Sequence, residues 1–160
     1  MTIKVGDHLP NVKFRVGTPE GPAWKTTDEI FKGKKVALFA VPGAFTGTCH
    51  KMHVPSILQS ADAIKAKGVD TIAVTSVNDV FVMDAWKKAT AADKIDFLAD
   101  GNGGFAKAVD LSFDGSGNGL GTRSRRYSML VEDGVVKKLN IEESPGKVEV
   151  SGGDTLLKQL

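Results

Sequence analysis

The sequence predicts an α/β fold. Three observations carry the prediction. Apolar runs of strand length alternate with segments of helical period, a pattern that builds a sheet with helices packed on it. Lys34–Val41 carries the apolar run Val36–Val41, and Thr71–Val77 a second largely apolar stretch, as strands covered on both faces do. Near the C-terminus, Glu132-Asp133-Gly134 separates two further β-patterned runs with a turn signal, so part of the sheet is antiparallel.

The elements follow in order. Val36-Ala37-Leu38-Phe39-Ala40-Val41 reads as the first buried strand. From about Thr48 to Lys67, Val54, Leu58, Ala61 and Ile64 recur at helical spacing. Thr71–Val77 is the second buried strand. Asn78 or Asp79 caps a helix running to about Lys88, with Val80, Met83 and Trp86 on one face. Asp96–Ala99 is a short strand and Gly104–Val109 at most a short helix. Residues 101–121 hold seven of the 18 glycines and read as loop. Neither GxGxxG nor a GK[ST] ending occurs there, which argues against a phosphate cradle. Tyr127–Glu132 and Val135–Ile141 form the hairpin, and Asp154–Leu160 a final helix. This order is compatible with a thioredoxin-like sheet.

Length and composition bound the function. The 160 residues suit one domain spanning 1–160, 41% hydrophobic and 25% charged. The formal net charge is +2, too small to argue for nucleic acid or a membrane surface. The longest apolar run has six residues, and the first residues carry no apolar signal core, so a cytoplasmic protein is expected. Cys49 is the only cysteine. An intrachain disulfide, a CxxC pair and a cysteine-rich zinc site are all excluded, and no other cofactor or metal signature is present.

The surroundings of Cys49 carry chemistry. Val41-Pro42-Gly43-Ala44-Phe45-Thr46-Gly47-Thr48-Cys49-His50 places it past the carboxyl end of a strand and in the first turn of a helix. Open α/β sheets bind ligands at that edge, and unpaired helix N–H groups there favour a thiolate. Thr46, three residues earlier, has the spacing to set its hydroxyl beside the sulfur. A helix terminus supplies only ~0.3–1, at most ~2 kcal/mol. A thiol ionised at neutral pH therefore needs a cation as well. Three of the four arginines cluster at Arg123, Arg125 and Arg126. Alternation sends Arg125 and Arg126 to opposite faces, and spacing alone does not choose between them.

Pro42, Thr46 and Cys49 fit PxxxTxxC, and the segment from Pro42 through Thr46 and Cys49 to Pro55 resembles the type-5, or type II, subfamily of the peroxiredoxins. Val69-Asp70-Thr71-Ile72-Ala73, Ser76 to Met83, Trp86, and Arg123 to Gly134 resemble the same subfamily in register. The resemblance implies a thioredoxin-like fold with a central mixed sheet flanked by helices and an extra N-terminal segment. It selects Arg126, the arginine before the aromatic residue. It implies reduction of hydrogen peroxide or a small organic hydroperoxide, with Cys49 attacking one peroxide oxygen and becoming a sulfenic acid. Arg126, the Thr46 hydroxyl and backbone N–H groups act as donors to the departing oxygen, and Pro42 shields the sulfur. A homodimer is expected, with Phe45 and Trp86 as candidate apolar contacts.

Two departures qualify the resemblance. Gly47 stands where the subfamily usually has proline, which loosens the loop before Cys49. Second cysteines occur in plant-type relatives at the position of Val74 and in animal-type relatives around Ser151, and neither is cysteine here. The chain thus looks like a one-cysteine member, regenerated by an external thiol such as glutathione with glutaredoxin, or thioredoxin. Overoxidation to sulfinic acid at high peroxide is expected. Other readings are weaker. His50 adjoins Cys49 and His53 lies four residues on, but a cysteine hydrolase lacks an orienting carboxylate nearby. The arginine cluster as a nucleic-acid patch conflicts with the small net charge. The main alternative is a thioredoxin-like sensor or binding module oxidised once at Cys49.

Overall fold

A computed structural model describes residues 1–160. The chain opens with a hairpin, β1 (Lys13–Thr18) and β2 (Gly21–Thr26), followed by α1 (Thr27–Phe31). Only an extra N-terminal segment was expected here. Its signals are short: Phe14 and Val16 alternate inward along β1, and Thr26 and Glu29 form a capping box at the start of α1.

The apolar run becomes β3 (Lys35–Ala40). It leads through a loop into a π-helical turn at Cys49–His53, and then into α2 (Val54–Ala66). β4 (Thr71–Ser76), α3 (Val80–Ala89) and β5 (Asp96–Ala99) follow as expected, and Asp79 caps α3 by accepting from Val82 N at 2.8 Å. After α4 (Gly104–Ala108) the glycine-rich stretch departs from the loop reading. β6 (Ser112–Asp114) pairs antiparallel with β7 (Thr122–Ser124) across a 3-10 turn at Ser116–Asn118. Glycine density hid these three-residue strands. β8 (Tyr127–Glu132) and β9 (Val135–Ile141) form the expected hairpin, with Asp133 (φ 50°) and Gly134 (φ 78°) both left-handed, as a two-residue turn requires. α5 (Gly153–Lys158) ends the chain's regular structure.

The main sheet runs β2-β1-β5-β4-β3-β8-β9. β3, β4 and β5 are parallel, and β1 and β8 add antiparallel neighbours on either side. The mixed sheet flanked by helices is the thioredoxin-like arrangement the sequence implied. Alternation along β3 explains its continuous apolar run. Ala37 and Phe39 face the core under α2, α3 and α5, while Val36, Leu38 and Ala40 join Phe14, Phe31 and Phe105 on the other side. Burying one such side chain contributes about 1.5–3 kcal/mol, so a polar substitution in this run is costly on either face. No helix is long and apolar enough to cross a membrane. The parallel strands end together at the edge where the loop bearing Cys49 begins.

Candidate active site

Pro42 and Gly43 break β3, and the loop that follows is pinned to the next strand. Ala44 N donates to Asn78 Oδ1 at 2.9 Å, and Ser76 Oγ donates to the same oxygen at 2.6 Å. Phe45 takes a left-handed backbone (φ 61°), which costs a non-glycine residue about 1–2 kcal/mol. Its ring stacks on His50, centroids 5.7 Å apart. His50 N then donates to Thr46 O at 2.9 Å, which starts the helical turn. Val54 N bonds to Cys49 O, the five-residue step of a π-turn, a feature frequent at functional sites.

Cys49 lies inside, 1% exposed, and Arg126 meets it there at 2% exposed. Arg126 Nη2 donates to Cys49 Sγ at 2.9 Å. Nη1 donates to His53 Nδ1 at 2.8 Å, and Nε to Pro145 O at 2.9 Å. The fork of the guanidinium therefore spans Cys49 and His53, four residues apart on one helical face. No carboxylate pairs with Arg126, since the ion pairs are Lys4–Asp7, Lys94–Asp62 and Lys147–Glu149. A buried cation without a carboxylate is costly, and the acceptors that Arg126 finds instead are the sulfur, the His53 ring and the Pro145 carbonyl. Parity explains the choice of arginine. Arg126 shares its face of β8 with Leu130, which packs in the core under α2. Arg125 points away and donates from Nη2 to Glu142 O at 3.1 Å.

His53 is not paired with the sulfur. Arginine only donates, so His53 Nδ1 must be the accepting nitrogen. Its Nε2 then carries the proton and donates to Ser151 O at 2.8 Å. Burial, with the Arg126 charge beside it, holds His53 neutral, its pKa pushed down to about 4. Both nitrogens are committed, which removes the base that a cysteine hydrolase needs. His50 is committed as well, its Nδ1 accepting from Trp86 Nε1 at 3.0 Å.

Thr46 and Pro42 lie on the loop that joins β3 to the turn bearing Cys49. The Thr46 hydroxyl donates to Gly43 O at 2.7 Å and makes no hydrogen bond to Cys49. Its proton is thus engaged, and it offers lone pairs where the sequence reading made it a donor. Pro42 is buried, and its carbonyl accepts from Arg123 Nη1 at 3.3 Å. Arg123 also crowds Gly43, where a Cβ would meet its Nη1 at 2.8 Å. Trp86 is fully buried and packs edge-on against Phe97, so it is core and not a dimer contact. Phe45 stays exposed at 49%. Sequence reasoning missed the parts that hold Arg126. Pro145, Ser151 and Glu142 approach from a segment without regular structure, and no local motif marks them. No cluster of three or more His, Cys, Asp or Glu is placed to hold a metal ion.

Comparison with known proteins shows the family and the fold. The Redoxin family model matches residues 4–157. Peroxiredoxin-2C of Oryza sativa subsp. japonica is 45% identical over 160 residues, covering 99% of this chain and 98% of the relative. Hybrid peroxiredoxin hyPrx5 of Haemophilus influenzae is 45% identical, covering 100% of this chain and 67% of the relative. The crystal structure of reduced Prx3 from Vibrio vulnificus in complex with H2O2 superposes with a TM-score of 0.94 at 49% identity, covering 99% of each chain. With a lone cysteine in the helical turn that follows β3 and a thioredoxin-like sheet behind it, the chain belongs to the peroxiredoxins, the thiol-dependent peroxidases.

Proposed function

We propose that this peroxiredoxin reduces hydrogen peroxide and small organic hydroperoxides at Cys49, and that an external thiol regenerates it. The observation that carries the reading is the 2.9 Å bond from buried Arg126 to Cys49 Sγ, with no carboxylate competing for the guanidinium. The thiolate attacks one peroxide oxygen along the O–O axis. The S–O bond forms as the O–O bond breaks, and the peroxide's own proton ends on the departing oxygen as water or alcohol. Cys49 is left as a sulfenate, oxidised by two electrons. Arg126 has five N–H groups, three of them engaged by Cys49, His53 and Pro145. The remaining two are donors for a peroxide oxygen. A charge-assisted hydrogen bond contributes ~1.5–3 kcal/mol, about one to two powers of ten in rate. Thr46 Oγ accepts the peroxide O–H and orients it, and Pro42 packs over the sulfur.

Val74 and Ser151 stand where two-cysteine relatives have their second thiol, so the resolving thiol comes from outside. Glutathione with glutaredoxin, or thioredoxin, forms a mixed disulfide at Cys49 and releases water from the sulfenic acid. A second thiol then restores Cys49. The exposed Phe45 ring beside the site is the apolar contact of a homodimer. The test is peroxide consumption with glutathione plus glutaredoxin, and separately with thioredoxin plus its reductase. Turnover with either donor, lost in Cys49→Ser, bears the reading out. One stoichiometric oxidation without turnover under both donors refutes it.

A further inference from the structure

Glu142 is the first residue beyond β9, and it continues the ladder with Arg126 by donating from its N to Arg126 O at 3.0 Å. Its side chain is buried, and one carboxylate oxygen, Oε2, gathers four donors. Glu149 N and Val150 N lie at 2.8 Å, Ser151 N at 2.7 Å and Ser151 Oγ at 2.6 Å. Residues 143–152 form no helix or strand. The Glu142 anchor, together with Thr48 Oγ1 donating to Gly146 O at 2.9 Å, gives this strap its shape. Burial works against the carboxylate, but these donors more than reverse it, and Glu142 is held below the usual carboxylate range.

The strap reaches Arg126 at two points. Pro145 O accepts Nε directly, and Ser151 O accepts the Nε2 proton of His53, whose Nδ1 in turn accepts Nη1. The Ser151 carbonyl therefore selects the His53 tautomer that can receive Arg126. A four-torsion arginine side chain without these acceptors has no reason to hold Nη2 at the sulfur.

We infer that Glu142 is a positioning residue for the peroxidase reaction, fixing Arg126 against Cys49 through the 149–151 strap and the His53 tautomer. The inference rests on the catalytic reading of Cys49 and Arg126 given above. Misplacing a reacting group by about 1 Å costs up to ~100-fold.

The test combines rate and spectroscopy on the full reduced chain. The second-order rate of Cys49 oxidation by hydrogen peroxide is followed by stopped-flow fluorescence, and the His53 side chain by 15N NMR at neutral pH. Glu142→Ala is expected to oxidise about tenfold to a hundredfold more slowly and to show His53 nitrogens averaged between tautomers. Glu142→Gln keeps an oxygen acceptor without the charge, so a smaller fall is expected, with partial averaging. Glu132→Gln removes an exposed charge at the far end of β8, away from the strap, and should leave both readouts unchanged. A folded Glu142→Ala with the wild-type rate overturns the inference. So does a slower rate with the His53 tautomer intact, or an equal loss in Glu132→Gln. If Glu142→Ala does not fold, Glu142→Gln decides alone, and wild-type values on both readouts overturn it. Peroxide turnover persisting in Cys49→Ser would sink the catalytic reading itself, a result distinct from all of these.

Discussion

Acidification should unfold this protein through His53. The ring is fully buried, and burial beside Arg126 pushes its pKa down to about 4 from an ordinary 6.5. Between those values the unfolded chain binds a proton that the folded chain refuses. Stability is therefore complete above about pH 6.5 and is lost as pH falls toward 4. Linkage across that interval gives a loss of about 2 kcal/mol between pH 7 and 5, rising to about 3 by pH 4. This is a large share of the ~5–15 kcal/mol that folds a typical domain. The cause is structural. Protonation at Nδ1 removes the acceptor for Arg126 Nη1 and sets two cations 2.8 Å apart. Urea unfolding of wild type and His53→Gln at pH 7 and pH 5 measures it, because carboxylates and the other histidines contribute to both chains. His53→Gln is less stable at pH 7, and the gap should narrow by about 2 kcal/mol at pH 5. A gap that stays constant across this range would falsify the account of His53 as a buried neutral acceptor.

Three further predictions follow from specific contacts. Arg126→Lys keeps a charge but cannot span Cys49, His53 and Pro145 together; the oxidation rate should fall by about one to two powers of ten, and stopped-flow rates within twofold of wild type would contradict the fork geometry. Gly153→Ala drives a Cβ to 2.7 Å from Ser56 O and 2.9 Å from Ile57 Cα, where α5 lies against α2. The clash is with backbone, so a loss of about 1–3 kcal/mol is expected by chemical denaturation, and an unchanged midpoint would count against this close approach. Gly47→Pro meets open space, and Gly47 N donates no hydrogen bond. Thermal unfolding should show a gain of up to ~1 kcal/mol from the stiffer unfolded chain, with peroxide oxidation unimpaired; a destabilised variant would refute it.

The path from residues to structure was uneven. β3 and β4 were legible because strands buried on both faces leave unbroken apolar runs, and the β8–β9 hairpin because Asp133-Gly134 supplies the two left-handed residues its turn needs. The N-terminal hairpin and the β6–β7 pair were not, being short, rich in polar residues or glycine, and held by pairing across the chain. At the site, local sequence was enough to mark the lone cysteine, its place at a helix start past a buried strand, and the residues that match the family's motif. Local spacing suffices for that, since Pro42, Thr46 and Cys49 share one loop. What holds the arginine emerges from the folded chain alone. Arg126 lies 77 residues from Cys49, and Ser151 lies 98 from His53. His53 read as a doubtful catalytic base, and no motif singled out Glu142. Their roles arise where β8, β9 and the strap after β9 converge on the first turn of the helix after β3. Burial there forces every polar group to find a partner, and no local pattern records which partner that is.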